Sequence, residues 1–223
     1  RKPRIAKSRR VRQIFSQEGN AAIRSSFPTS SVRKRGPMQV AQTPIPDLLV
    51  VSLAVHRDHR GFFAETWRDE WNAQLGLDAP FVQDNHVRSE QKGVLRGLHF
   101  QKPPHTQAKL IWVTRGAVYD AVVDLRAGSP TYGKGYGLVL SEENMLRLFV
   151  PRGFAHGYMT LEPGTETHYK VNAYYKPDHD AGVLWNDPAL NIPWPGIEPV
   201  LSEKDKLLPV LADLQSPFTY GKP

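Results

Sequence analysis

From Leu48 onward, apolar residues come in short extended runs separated by turn-forming clusters, and helical periodicity is scarce. Runs at Leu49–Val55, Gly61–Thr66, Val94–His99, Lys109–Thr114, Ala117–Asp124, Gly135–Leu140, Arg147–Val150, Ala155–Leu161, Thr165–Val171 and Gly182–Trp185 read as strands. Breakers such as His59-Arg60-Gly61, Arg115-Gly116, Glu162-Pro163-Gly164 and Lys176-Pro177-Asp178 lie between them. One short helix is expected from about Arg68 to Leu75, closed by Gly76, and a second after Ser202, before Pro209. Many short strands with few short helices predict an all-β protein, a sandwich or barrel. Val118 and Val122 alternate toward the interior, and Asp120 and Asp124 interrupt that face. A buried acid is costly unless it is paired, so one of the two is expected to meet a cation or donor. Asp124, at the strand end, is expected to bond to the Asp124-Leu125-Arg126 turn.

Charge separates the first stretch from the rest. The 223 residues carry +7 overall, but residues 1–37 hold eleven Lys or Arg against one acid, a local +10 that leaves 7 − 10 = −3 for the remainder. The basic pI therefore belongs to a tail, and no basic–aromatic pattern suited to nucleic acid follows it. Residues 1–37 read as a disordered extension ahead of a single domain over 38–223. Three origins are open: upstream translation before a start at Met38, a solvated tail, or an Arg- and Ser-rich targeting peptide. No run is long and apolar enough for a membrane helix, which predicts no membrane partner. The absence of cysteine excludes disulfides, thiolate metal sites and cysteine nucleophiles. Nothing argues for export, so a cytoplasmic location is expected.

The run GVLRGLHFQ, Gly93 to Gln101, concentrates the chemistry. It places Arg96 and His99 in one strand, with Lys109 opening the next apolar segment. A histidine that titrates near neutral pH, close to an arginine and a lysine, suits proton abstraction from an anionic carbonyl compound. A core strand with a satisfied histidine is the plain alternative. Arg96 and His99 are three apart, so a regular strand would point them to opposite faces. Both reach one pocket only if Gly97 makes a bulge or the strand ends before His99. A metal site of the two-histidine-and-carboxylate kind is not visible. Gly97 and Gln101 flank His99 at two residues' distance, and His105 follows Pro103-Pro104.

GVLRGLHFQ, then QAKLIWVTRGAVYDAVVDLRAGSPTYG, then VPRGFAHGY, resemble the dTDP-4-dehydrorhamnose 3,5-epimerase family. DHRGFFAETW, FVQDNH and LSEKDKLLP extend the likeness from about Pro46 to about Pro209. The resemblance implies a cupin-type jelly-roll β-sandwich, a homodimer, and no metal or organic cofactor. It implies inversion of C3 and C5 of dTDP-4-keto-6-deoxyglucose to give dTDP-4-keto-rhamnose. Such chemistry needs a base, an acid on the opposite side, and a cation or donor at the ketone oxygen.

By the same resemblance, His99 is the base and Asp205 the acid that orients it and favours its imidazolium. Lys109 stands near the ketone and Tyr169 is the proton donor. Taken alone, Asp205 reads as a surface acid, Lys109 as a strand-edge lysine and Tyr169 as a core tyrosine. Arg60, Arg96 and Lys204 match positions that hold the substrate, as do the polar Glu65, Gln83 and Asn85. Tyr175 matches an aromatic packed on the thymine, and His156 a further pocket histidine. Asp180 stands where relatives often carry Glu. Arg60 and Glu65 are expected to serve the partner subunit's pocket. Two other readings stay open: a narrower enzyme (epimerising at C3 or C5 only, or a ketoisomerase), and a sugar-nucleotide-binding module without catalysis.

Overall fold

The computed structural model describes residues 36–221, so the expected basic extension falls almost wholly outside the described residues. Two antiparallel sheets carry the architecture. The first has six strands: β1 (Met38–Gln42), β2 (Leu49–Leu53), β5 (Gln83–Ser89), β7 (Lys109–Arg115), β11 (Arg147–Val150) and β13 (Thr165–Val171), in the order β1-β2-β11-β7-β13-β5. The second has five: β6 (Leu95–Gln101), β8 (Ala117–Asp124), β10 (Gly135–Ser141), β12 (Phe154–Thr160) and β14 (Asp180–Gly182), in the order β10-β8-β12-β6-β14. β3 (Val55–Asp58) and β4 (Gly61–Ala64) make a separate hairpin, and β9 (Arg126–Ala127) pairs in parallel with β15 (Phe218–Thr219). Neighbours in each sheet are mostly distant in sequence, as in the jelly roll that the resemblance implied.

Packing explains why the strands read as they do. β8 and β12 are buried at every residue, because both of their faces are covered. One face meets the interior between the sheets. The other packs Val123 and Ala155 with Leu98, Phe100, Val183, Leu190 and Phe218, as the C-terminal chain wraps across it. On the first sheet, Trp71 and Leu75 of α1 (Trp71–Leu75) pack on Leu49, Val51, Leu110 and Phe149. Gly76, at φ +67°, ends that helix in the left-handed conformation that glycine adopts without strain.

β5 has no hydrophobic face. Its sequence, Gln83-Asp84-Asn85-His86-Val87-Arg88-Ser89, gave no strand signal, and only pairing with β13 reveals it. β1 was likewise unexpected. The last predicted strand forms earlier than expected, at β14, where Asp180 pairs with Gln101 and Gly182 with His99.

Both interior acids are paired. Asp124 is fully buried and accepts bonds from the Arg126 backbone N–H (3.0 Å), the Arg126 guanidinium (2.9 Å) and the hydroxyls of Ser129 (2.6 Å) and Thr131 (2.8 Å). Burial pushes its carboxyl up, but these donors outweigh that and hold it below the usual carboxylate range. Asp120, also fully buried, meets His156, with both carboxylate oxygens 2.9 Å from Nε2.

Candidate active site

A cavity of about 460 Å³ opens between the two sheets, within the size range of small-molecule sites. The five-stranded sheet supplies Arg96, His99, His156 and Tyr158; the six-stranded sheet faces them with Lys109, Tyr169 and Val87. The segment 200–205 closes one side with Ser202, Lys204 and Asp205. Seven of the sequence-derived candidates thus line one space: Arg96, His99, Lys109, His156, Tyr169, Lys204 and Asp205.

Arg96 and His99 reach the same cavity through a bulge at Gly97. Across the β6–β12 ladder, His99 pairs with His156 and Arg96 with Tyr158, so three steps on β6 oppose two on β12. Gly97 sits at φ +114°, which side chains of L-residues rarely adopt, and a Cβ there would lie 2.7 Å from the Gly157 Cα. Only glycine allows the two strands to approach this closely.

His99 and Asp205 form a pair. Nε2 of His99 lies 2.6 Å from Oδ1 of Asp205, whose side chain is only 4% exposed. The acid is delivered by α2 (Glu203–Lys206), a single turn whose N-terminal Ser202 hydroxyl accepts the Asp205 backbone N–H at 3.2 Å. That cap fixes where the turn begins and so aims the carboxylate at the ring. Burial pushes the Asp205 carboxyl up, but the His99 hydrogen bond and charge, with the Gly97 N–H, prevail and hold it low. It stays a carboxylate beside the imidazole.

The facing wall carries a cation and a phenol. Desolvation in the cavity pulls the Lys109 ammonium down to about 8, with the Asp180 and Asp120 carboxylates resisting. Burial pushes the Tyr169 phenol up, so it remains a proton donor at neutral pH. Tyr158 is pushed up to about 12 for the same reason.

Four other candidates are linked to this cavity through hydrogen bonds or strand register. Gln83 Oε1 accepts the Tyr175 N–H (3.2 Å), and its amide donates to Asn85 Oδ1 (2.9 Å). Tyr175 Oη donates to Asp180 at 3.2 Å, and Asp180 also receives Lys204 Nζ. Asn85 stands opposite Tyr169 in the β5–β13 register, on the inner face, with its Nδ2 buried and unpartnered. Arg60 and Glu65 lie elsewhere. Arg60 sits at the exposed tip of the β3–β4 hairpin, bonded to Asp58 at 2.6 Å, and Glu65 accepts from Arg68 at 2.8 Å.

Sequence reasoning missed Tyr158 here, whereas Asp120 was expected to be paired and only its partner, His156, was not named. Tyr158 gave no signal, because a tyrosine in a buried strand looks like core.

A family model described as dTDP-4-dehydrorhamnose 3,5-epimerase matches residues 42–213. A curated protein of that name from Sinorhizobium fredii is 50% identical over 166 residues, covering 74% of this chain and 85% of its own length. The solved structure of the Bacillus anthracis enzyme of that name, with TDP and PPi bound, aligns with a TM-score of 0.75 and 49% identity, covering 78% of this chain and 99% of that one. A Legionella pneumophila dTDP-6-deoxy-D-glucose-3,5-epimerase, solved with dTDP-4-keto-L-rhamnose, gives a TM-score of 0.79 and 39% identity over 83% of this chain and 100% of that one. With the facing sheets, the His99–Asp205 pair and these likenesses in hand, the chain belongs to the dTDP-4-dehydrorhamnose 3,5-epimerase family of isomerases.

Proposed function

We propose that this chain epimerises dTDP-4-keto-6-deoxyglucose at C3 and C5, giving dTDP-4-keto-rhamnose for dTDP-rhamnose synthesis. One observation carries the reading: His99 and Tyr169 approach the cavity from opposite sheets. A base on one side and a phenol on the other can remove a proton from one face of a sugar ring and return one to the opposite face. That is what inversion requires.

Protons α to a ketone are acidified because the resulting carbanion is an enolate. His99 takes the proton on the ring nitrogen not engaged with Asp205, and the carboxylate offsets the imidazolium charge that forms. The bond electrons pass to the ketone oxygen, where the Lys109 ammonium stabilises them. In a desolvated site such a contact contributes on the order of 3 kcal/mol, like one oxyanion-hole donor. Tyr169 protonates the enolate carbon from the other side; the His99 imidazolium then gives its proton to solvent, and the Tyr169 phenolate takes one back from solvent, which resets both groups. Repetition across the ketone inverts the second centre. Arg96 and Lys204 supply charge for the diphosphate. Gln83, Asn85, Tyr175 and Asp180 shape the nucleotide end, and His156, braced by Asp120, adds a further polar contact. No step calls for a metal or organic cofactor.

The same reading makes the enzyme a cytoplasmic homodimer, with one domain over residues 38–223. Phe62 and Phe63 on the β3–β4 hairpin are 60% and 69% exposed, and the Arg60 side chain beside them is 79% exposed. A partner's pocket is the natural place for that arm.

The test is proton exchange. Chelator-treated protein is incubated with dTDP-4-keto-6-deoxyglucose in D₂O and followed by NMR, with His99→Ala alongside. Deuterium at C3 and C5, lost in the variant, supports the reading. Deuterium at one carbon points to a narrower epimerase, and none in a folded protein that binds nucleotide points to a binding module.

A further inference from the structure

On the outer face of the six-stranded sheet, turned away from the cavity, three potential ligands gather. Glu166 and His168 are two apart on β13, so they share a face, and neighbouring Tyr169 takes the other. His86 on β5 stands directly opposite His168 in the ladder. Directly opposed residues in antiparallel strands keep their Cβ atoms about 4.5–5.5 Å apart. The register therefore fixes a triangle, and one ligand atom from each of the three residues lies within 4.8 Å of the others.

We propose that His86, Glu166 and His168 form a peripheral site for a divalent transition cation of the zinc type. Two imidazoles and one carboxylate are the borderline donors that such an ion takes, with room left for water. Oε2 of Glu166 already lies 3.2 Å from Nε2 of His86. The two imidazoles are stacked, with centroids 4.1 Å apart and planes at 13°. Ligation turns each ring about its Cβ–Cγ bond, out of the stack, so that the lone pairs converge; the backbone need not move. Trp112 on β7 lies against His168 at 5.6 Å and 15°, limiting where that ring can go.

Positive charge opposes the site. Arg88 and Arg115 place guanidinium nitrogens 3.6 Å and 4.0 Å from Glu166 Oε1. Both act on the oxygen that does not face His86, so Oε2 stays available. They orient the carboxylate as outer partners of a ligand do, while their charge weakens the ion's hold. The consequence is structural. Among the described residues β5 is an edge strand joined to β13 alone, and its inner face carries Gln83, Asn85 and Val87 at the cavity side. An ion across His86 and His168 ties that edge down.

The full chain, freed of metal by chelator and dialysis, is titrated with zinc chloride by calorimetry, and its thermal unfolding is followed with and without zinc. Wild type is expected to bind one ion per chain and to unfold at higher temperature as zinc rises. His86→Ala and His168→Ala should each weaken binding by about tenfold or more, while unfolding like wild type in chelator. The absence of saturable binding up to about 100 μM zinc, a −5.5 kcal/mol threshold, overturns the proposal. So does undiminished binding in the double variant, which would move the ion elsewhere, for instance to the His105–His179 pair.

Discussion

His99 Nε2 and Asp205 Oδ1 lie 2.6 Å apart across 106 positions of sequence. The bond joins β6 to the single-turn helix α2, and the capping Ser202 sets its geometry. Asp205→Asn preserves the shape and removes the charge. It is expected to lower kcat by about 10²–10⁴-fold with little change in KM, as loss of a base's orienting carboxylate does.

The same variant tests a pH dependence. The folded Asp205 carboxyl sits below its ordinary 3.8. Its contribution to stability is therefore complete above that value and is lost as pH falls through 3.8 toward the depressed one. Urea unfolding of wild type and Asp205→Asn should show a stability gap that narrows as pH falls below about 4. A gap independent of pH would mean that the pair contributes nothing through charge.

Lys109, drawn down to about 8, predicts the alkaline side of the rate profile. kcat/KM should fall as pH rises through about 8, because the ammonium is lost. Lys109→Met should cost about 10²–10³-fold and abolish that limb. Stability runs the other way. A folded value below the ordinary 10.5 means the buried ammonium costs stability up to about pH 8 and less as pH rises toward 10.5. Lys109→Met should therefore be the more stable protein at neutral pH, with its advantage shrinking in alkali.

Gly97→Ala and Gly76→Ala form a matched pair. Both glycines have positive φ, but a Cβ at 97 meets the Gly157 Cα at 2.7 Å, whereas nothing lies within 4 Å at 76. Gly76→Ala should cost about 1 kcal/mol, the strain alone. Gly97→Ala should cost more, on the order of 2–4 kcal/mol, and should also lower activity, because the bulge aims His99. Equal losses in thermal unfolding would remove the close approach as the reason for glycine at 97.

Arg60 is predicted to act across subunits. Arg60→Ala and His99→Ala should each be nearly inactive alone. Mixing and refolding them should restore about a quarter of wild-type activity, since half the dimers are mixed and each holds one intact site. Failure to recover activity in demonstrated heterodimers would place Arg60 outside the partner's pocket.

The strands with one or two apolar faces were legible in the sequence, several to the residue: Ala117–Asp124, Arg147–Val150 and Thr165–Val171. β5 was not, because one of its faces meets a polar cavity and the other solvent, so neither periodicity nor propensity marks it. The C-terminal turn with Ser202 was legible as a helix, but not as the carrier of a buried acid. By local pattern alone, Asp205 belonged to the surface, and only the family resemblance suggested otherwise.

By itself, the sequence determined the class of fold, most of its strands, the acid that had to be paired inside β8, and the need for a distortion at Gly97 if Arg96 and His99 were to cooperate. These follow from short-range rules: side-chain alternation, turn chemistry and the cost of burying charge. Only the tertiary structure decided that His99 meets Asp205, that Asp120 chooses His156, that Lys109 and Tyr169 face them from the other sheet, and that His86 stands against His168. Each of those relations joins strands far apart in the chain, and pairing order and register are set by the packing of whole sheets rather than by any local run of residues.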